Sequence, residues 1–362
     1  MPTYRSTPKL EHGLPASTGI LVVNLGTPEA PTSGAVRRFL RKFLWDPRVI
    51  ESPRLPWWLI LNLIILVIRP PTSAAAYRKI WTEQGSPLLI NSRAISDKLQ
   101  ERFATTPKSP VAVELAMTYG EPSIAAAIDK LIKGGAQRVL TLPLYPQYSG
   151  TTSASVFDHV THELGKYRRV PEARFINDYH DAPAYISALA ASIRASWASG
   201  GRGNKLLMSF HGIPKRYIEK GDPYFDQCQR TAWLLADELE LADDDWMLSF
   251  QSRVGRDEWL GPYTDETARE LGRQGLAQLD VVCPGFSTDC LETLEEIAMQ
   301  NAELFVQAGG GTLRYIAALN DSEYHLDCLE QLLRRNLDGW ANSDRCLSEM
   351  TPEQTLSSGV SA

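Results

Sequence analysis

One histidine stands apart among the side chains that could move protons or hold a metal. In Ser209-Phe210-His211-Gly212-Ile213-Pro214, His211 closes an apolar run and precedes a Gly-x-Pro turn, which none of His12, His159, His162, His180 and His325 does. A neutral imidazole there can take a proton near neutral pH or bind a metal; the alternative is a structural histidine capping the next segment. A second peptide runs from Phe286 to Ile297. Its Glu292 and Glu296 are four apart, so on a helix they share a face and can hold a divalent cation or relay protons, while Glu295 points elsewhere. Acids in a first helical turn are also favoured by the helix dipole, and Asp289 is expected to be the N-cap. A third peptide, Gln251 to Pro262, carries Trp259 among glycine and proline, placed either to stack on a flat ligand or to cover a core. In a fourth, Leu144 to Ser155, hydroxyls at a helix start could cradle an anion. It has neither Gly-x-Gly-x-x-Gly nor Walker spacing, so no motif supports a nucleotide.

These peptides need strands that deliver them to one edge. Short apolar runs suggest strands near 19–26, 111–119, 138–145, 175–179, 205–211, 247–252, 279–286 and 313–318, alternating with helical patterns such as 123–133 and 183–197. The alternation predicts an α/β protein with parallel sheets and right-handed crossovers, whose ligands sit beyond the carboxyl ends of the strands. Residues 19–28 resemble 205–214, and 136–146 resemble 277–286, so two doubly wound halves are expected. We expect a domain at 18–175, a second at 176–320, a helix at 321–340 packing back on the first, and weak order over 1–17 and 341–362.

At 362 residues with 43% hydrophobic and 22% charged content, the chain has the make-up of an ordinary globular protein of two domains. Its net charge of −6 argues against nucleic acid as a partner. Five dispersed cysteines without C-x-x-C spacing argue against a zinc ribbon or a disulfide framework and for a reducing, cytoplasmic setting. The polar, proline-bearing first residues do not read as a secretory signal. One stretch resists the soluble reading. Residues 55–68 carry no charge, and as a helix they would reach about 21 Å against a hydrocarbon core of about 30 Å, too short to span. They form either a buried core helix or an apolar lip for a membrane or an apolar ligand, with Trp57, Trp58 and Arg69 as interfacial residues.

Taken together, the chain resembles ferrochelatases from about residue 19 to 333. The matching peptides are Asn24-Leu-Gly-Thr-Pro28, Tyr77-Arg-Lys-Ile80 with Gly85-Ser-Pro87, Tyr119, Tyr145-Pro-Gln-Tyr-Ser149, Ser209-Phe-His211, Gly221-Asp-Pro-Tyr224, Gln251-Ser-Arg-Val-Gly255 with Trp259-Leu-Gly-Pro262, and Asp289-Cys-Leu-Glu-Thr-Leu294. The resemblance implies two similar Rossmann-like domains around a porphyrin cleft, and insertion of ferrous iron into protoporphyrin IX without nucleotide or redox cofactor. It implies that His211 and Glu292 are catalytic and that His211, Glu292 and Glu296 meet the metal. It places Leu25, Tyr77, Tyr119 and Trp259 in the porphyrin pocket, Arg69 and Ser86 near its mouth, and 55–70 on a peripheral membrane lip. The partners it implies are the porphyrin, ferrous iron, the membrane's cytoplasmic face, and protoporphyrinogen oxidase or a haem acceptor.

The sequence departs from the family pattern at three points. Only Cys328 and Cys346 lie late in the chain, so the [2Fe–2S] cluster of many relatives is not expected. Cys290 stands where some relatives have histidine, and Thr118 where many have arginine. A coproporphyrin ferrochelatase and a non-catalytic tetrapyrrole or metal carrier remain the rival readings.

Overall fold

The computed structural model describes residues 4–8, 17–104, 111–255 and 257–340. Eight strands form two four-stranded sheets. The first holds β1 (Ser17–Asn24), β2 (Val111–Met117), β3 (Ala136–Pro143) and β4 (Glu172–Phe175), in the order β2-β1-β3-β4. The second holds β5 (Lys205–His211), β6 (Trp246–Gln251), β7 (Gln278–Val282) and β8 (Thr312–Ile316), in the order β6-β5-β7-β8. All pairings are parallel, and the two orders are the same. The internal repeat therefore aligns equivalent strands: β1 with β5 and β3 with β7. Central strands such as Ile20–Val23 and Leu206–Phe210 are buried on both faces, which is why they read as continuous apolar runs.

One strand expectation is corrected. The fourth strand is Glu172–Phe175, not 175–179. It lies at the sheet edge and is half exposed, so its own residues carry little apolar signal. The stronger signal comes from Ile176 and Tyr179, buried in the segment that follows.

Helix ends follow local chemistry. Ser123 caps Ile124–Lys133 through the Ala126 N–H, and Ser322 caps Glu323–Leu337 through the His325 N–H. The latter helix crosses back to the first sheet: Arg102 on Pro87–Ala104 grips Glu323, Asp327 and Glu330 at 2.6–2.9 Å. The expected disorder over 341–362 lies outside the described residues. Within 1–17, Arg5 pairs with the chain at Lys166 and Arg168.

The apolar stretch belongs to a longer continuous helix, Arg54–Ile80, with a wide turn at Leu61–Ile65. At 27 residues it reaches about 40 Å, so length alone no longer excludes a span. Its burial pattern argues instead for lying on a surface. Leu61, Leu66, Pro70, Ala74, Tyr77 and Ile80 are buried, the apolar ones against Val36, Phe39 and Leu40 of helix Ser33–Trp45, while Leu55, Leu63, Ile64, Val67 and Ile68 are more than half exposed.

Candidate active site

The carboxyl ends of both sheets face one another. At the base, Asn24 Nδ2 at the end of β1 donates to Thr288 Oγ1 after β7, 3.1 Å away. Gly26 follows at φ +109°, and a Cβ there would lie 2.2 Å from the Tyr119 carbonyl oxygen, so only glycine lets the loops after β1 and β2 approach this closely.

His211, half-buried at the end of β5, has its ring 6.4 Å from that of Phe286. Its Nδ1 lies 2.6 Å from the Gly212 carbonyl oxygen, which can only accept. In the neutral ring the proton therefore sits on Nδ1, and Nε2 presents a lone pair. Trp259 packs beside it: a Cβ on Gly212 would lie 3.2 Å from the indole ring. The indole N–H is buried without a hydrogen-bond partner, as expected of a donor that a ligand or water completes.

Glu292 and Glu296 lie on a wide helix, Glu292–Asn301, and Glu295 diverges from them. Ser252 holds Glu296 with both its N–H (2.8 Å) and its hydroxyl (2.5 Å), and sits at φ +67° to do so. A non-glycine residue in that region is strained, and such strain is kept where a precise contact is needed. Burial raises the Glu296 carboxyl above its ordinary value, opposed by the Ser252 bonds and the attraction of His211 and reinforced by Glu292. Glu292 also acts on the far wall. It reinforces the rise that burial imposes on the Tyr77 hydroxyl, and it opposes the lowering that burial imposes on Arg69. One electrostatic neighbourhood thus links His211, Glu296, Glu292, Tyr77 and Arg69 across the two halves. Leu25, Tyr77, Leu291 and Leu294 share the apolar cluster beneath the lip.

The structure does not gather His211, Glu292 and Glu296 into a preformed three-ligand site. Among the described residues, the acid and imidazole atoms converging within 4.8 Å are those of Asp178, His180 and Asp181. Neither Ser86, expected near the mouth, nor Tyr119, expected in the pocket, presents a free hydroxyl. Ser86 is buried and accepts from Thr27 Oγ1, and the Tyr119 hydroxyl donates to Asp46 Oδ2 (2.6 Å) beside Ser155. Asp289 is not an N-cap: it accepts from Thr293, Tyr315 and Asn320 and ties the end of β7 to β8. The loop expected to cradle an anion already holds one, because Asp222 of the second half accepts from Ser149 Oγ and the Gly150 N–H. A depression of about 530 Å³ beside β2, lined by Arg93, Asp97, Gln100, Glu114 and Lys130, contains none of these groups.

Sequence reasoning passed over Ser252 as a grip on Glu296, and over the ion pair Lys79–Glu295 (2.7 Å) that joins lip and wide helix. The sequence offered no signal for either, since both depend on contacts 44 and 216 residues apart. The described cysteines are buried and free. Burial holds the Cys290 thiol well above its ordinary value, so it is protonated and a poor metal ligand. Cys346 lies outside the described residues.

The two-sheet architecture is that of the chelatases. It matches solved structures of SirB from Bacillus subtilis with Fe³⁺ (TM-score 0.55, 12% identity, 91% of this chain and 97% of that one). It also matches the sirohydrochlorin chelatase SirB from Bacillus subtilis subspecies spizizenii in complex with cobalt (TM-score 0.52, 9% identity, 90% and 96%). These show the fold alone. The ferrochelatase family model matches residues 17–337. Ferrochelatases of Thioalkalivibrio sulfidiphilus and Nitrosococcus oceani are 55% and 52% identical to this chain over 333 residues, covering 92% of it and 90% of each relative. The chain belongs to the ferrochelatase family. Its reaction is insertion of ferrous iron into protoporphyrin IX, with iron as a substrate.

Proposed function

We propose that His211 is the base that opens the porphyrin core and that Glu292 and Glu296 receive the second proton and attract the iron. Metallation exchanges two pyrrole N–H protons for one Fe²⁺, so the site must accept two protons while a dication arrives. The observation that carries this reading is the commitment of His211 Nδ1–H to the Gly212 carbonyl, which leaves Nε2 as a lone pair on a ring close enough to act on the charge of Glu296. A carboxyl raised by burial accepts a proton more readily than an ordinary one, which suits Glu296 to relay. An open arrangement of the three groups fits iron that must be handed on, because a closed shell of ligands would hold it. Leu25, Tyr77 and Trp259 line the macrocycle's walls, and Arg69 at the mouth meets its carboxylates. Ser86 and Tyr119 brace those walls from behind.

The test is anaerobic iron or zinc insertion by purified protein. His211→Ala is expected to lose roughly 10²-fold or more in turnover while porphyrin binding, read by fluorescence, persists. Unchanged turnover would overturn the assignment.

The exposed apolar face of 55–68 supports a peripheral, cytoplasmic-side membrane contact through which an apolar porphyrin enters. Protoporphyrinogen oxidase as supplier or a haem acceptor as receiver fits the same mouth.

A further inference from the structure

The lip is flanked by a row of cations that neither the fold nor the reaction uses. Helix Ser33–Trp45 buries Val36, Phe39, Leu40 and Leu44 against the lip helix and exposes Arg37, Arg38, Arg41 and Lys42. The two helices run antiparallel side by side. Arg54 lies over the Trp45 ring, Trp57 Nε1 donates to the Leu44 carbonyl, and Arg78 at the other end reaches the Pro31 carbonyl. Together they carry eight cations and no carboxylate, in a chain whose net charge is −6.

Like charges four residues apart weaken a helix, and here two such pairs, Arg37/Arg41 and Arg38/Lys42, lie side by side. Arg38 is offset by Glu29, but Arg37, Arg41 and Lys42 make no hydrogen bond or ion pair with any described residue. Packed helix axes lie about 8–10 Å apart. Once the lip's apolar face enters the acyl boundary, cations on the neighbouring helix are therefore within side-chain reach of the headgroups. Trp45 and Trp58, both partly exposed, sit at the same end, where interfacial tryptophan is favoured.

We propose that Arg37, Arg41 and Lys42 form a headgroup-binding face that makes the membrane contact selective for anionic lipid. This rests on the membrane reading of the lip. The occupant is argued from charge complementarity: a neutral bilayer needs only the apolar strip, and unpaired cations beside it gain only from a negative surface.

The experiment is flotation of the full chain with phosphatidylcholine vesicles and with vesicles doped with phosphatidylglycerol. Each cation near an anionic surface is worth about fivefold in binding. The wild type should bind the doped vesicles more tightly, and the excess should shrink as salt shortens the screening length. The variant R37Q/R41Q/K42Q should lose up to about 100-fold on doped vesicles. Its binding to neutral vesicles and its metallation of detergent-dispersed porphyrin should match the wild type, and its urea midpoint should be no lower, since two like-charge pairs are relieved. Equal wild-type binding to both vesicles, or a triple variant that matches wild type on doped vesicles, overturns the proposal; the latter result would point to an acidic protein as the occupant. A separate L63S/I64S variant tests the lip. If the wild type binds neither vesicle, the membrane reading itself fails, and the two failures are thereby told apart.

Discussion

Lys79 and Glu295 join the lip helix to the wide helix that carries Glu292 and Glu296, and the pair is lopsided. The Glu295 side chain is 5% exposed and that of Lys79 is 54% exposed. Removing one partner of a buried pair costs about 3–5 kcal/mol, whereas exposed pairs contribute about 0–1 kcal/mol. Which partner is removed therefore decides the outcome. Lys79→Met leaves a buried carboxylate whose remaining contact is Gln300 Nε2 at 2.7 Å, and a loss of about 2 kcal/mol, between those limits, is expected. Glu295→Gln leaves an ammonium already half in water, and the new amide can still accept a hydrogen bond, so about 1 kcal/mol or less is expected. The double variant K79M/E295Q should be more stable than K79M alone, because it no longer buries an unpaired charge. Urea unfolding midpoints of the four proteins measure this directly. Costs that add, or an E295Q loss as large as that of K79M, would refute the argument that desolvation of Glu295 dominates.

Two further predictions concern groups away from the cleft. His325 is fully buried, with Nδ1–H donated to the Asn320 carbonyl and Nε2 unpartnered; burial lowers it from 6.5 to about 4, against the opposing pull of the Asn320 bond and Asp321. A depressed folded value means that its contribution is intact above the unfolded value and is lost as pH falls towards 4. The loss reaches up to about 3 kcal/mol, so His325→Gln should flatten the acid limb of a stability–pH curve, and an unaltered limb would be the contrary result. Asp222→Ala should destabilise the protein by about 2 kcal/mol through its charge-assisted bonds to Ser149 and Gly150. Thermal melts should then show a larger gain from sulfate in the variant than in the wild type, and equal gains would mean that the loop does not function as an anion site.

The sheets were legible because buried parallel strands are continuous apolar runs, and the internal repeat pointed to two doubly wound halves, whose strands the structure shows in the same order. The position of His211 was legible for a related reason, since it closes the apolar run that forms β5, and the four-residue spacing of Glu292 and Glu296 does place both on one helix. The misreadings share a cause. Asp289 looked like an N-cap, but the helix begins later and the carboxylate is bound by Thr293, Tyr315 and Asn320, partners up to 31 residues away. The hydroxyls after Tyr145 looked like an anion cradle, and chemically they are one. The sequence could not reveal that Asp222 supplies the anion, since the contact spans 72 residues. Local propensity identifies what a segment needs, whereas tertiary packing decides who supplies it.

That distinction bears on the placement of charge. The segments contacted by Asp222 and Asp289 satisfy one another within the protein, so the groups left for the proposed chemistry are few and divided by sign. The cleft keeps His211, Glu292 and Glu296, and the second of these acids is held in a strained grip by Ser252. The rim keeps Arg69, Arg37, Arg41 and Lys42, on helices that themselves carry no carboxylate. An acidic interior favours arrival of a dication and departure of protons, and a basic rim favours an anionic porphyrin and an anionic surface. With the two signs mixed, the same residues would repel one substrate while attracting the other. In the proposed mechanism, separating them along the axis from mouth to floor lets a single cleft accept both.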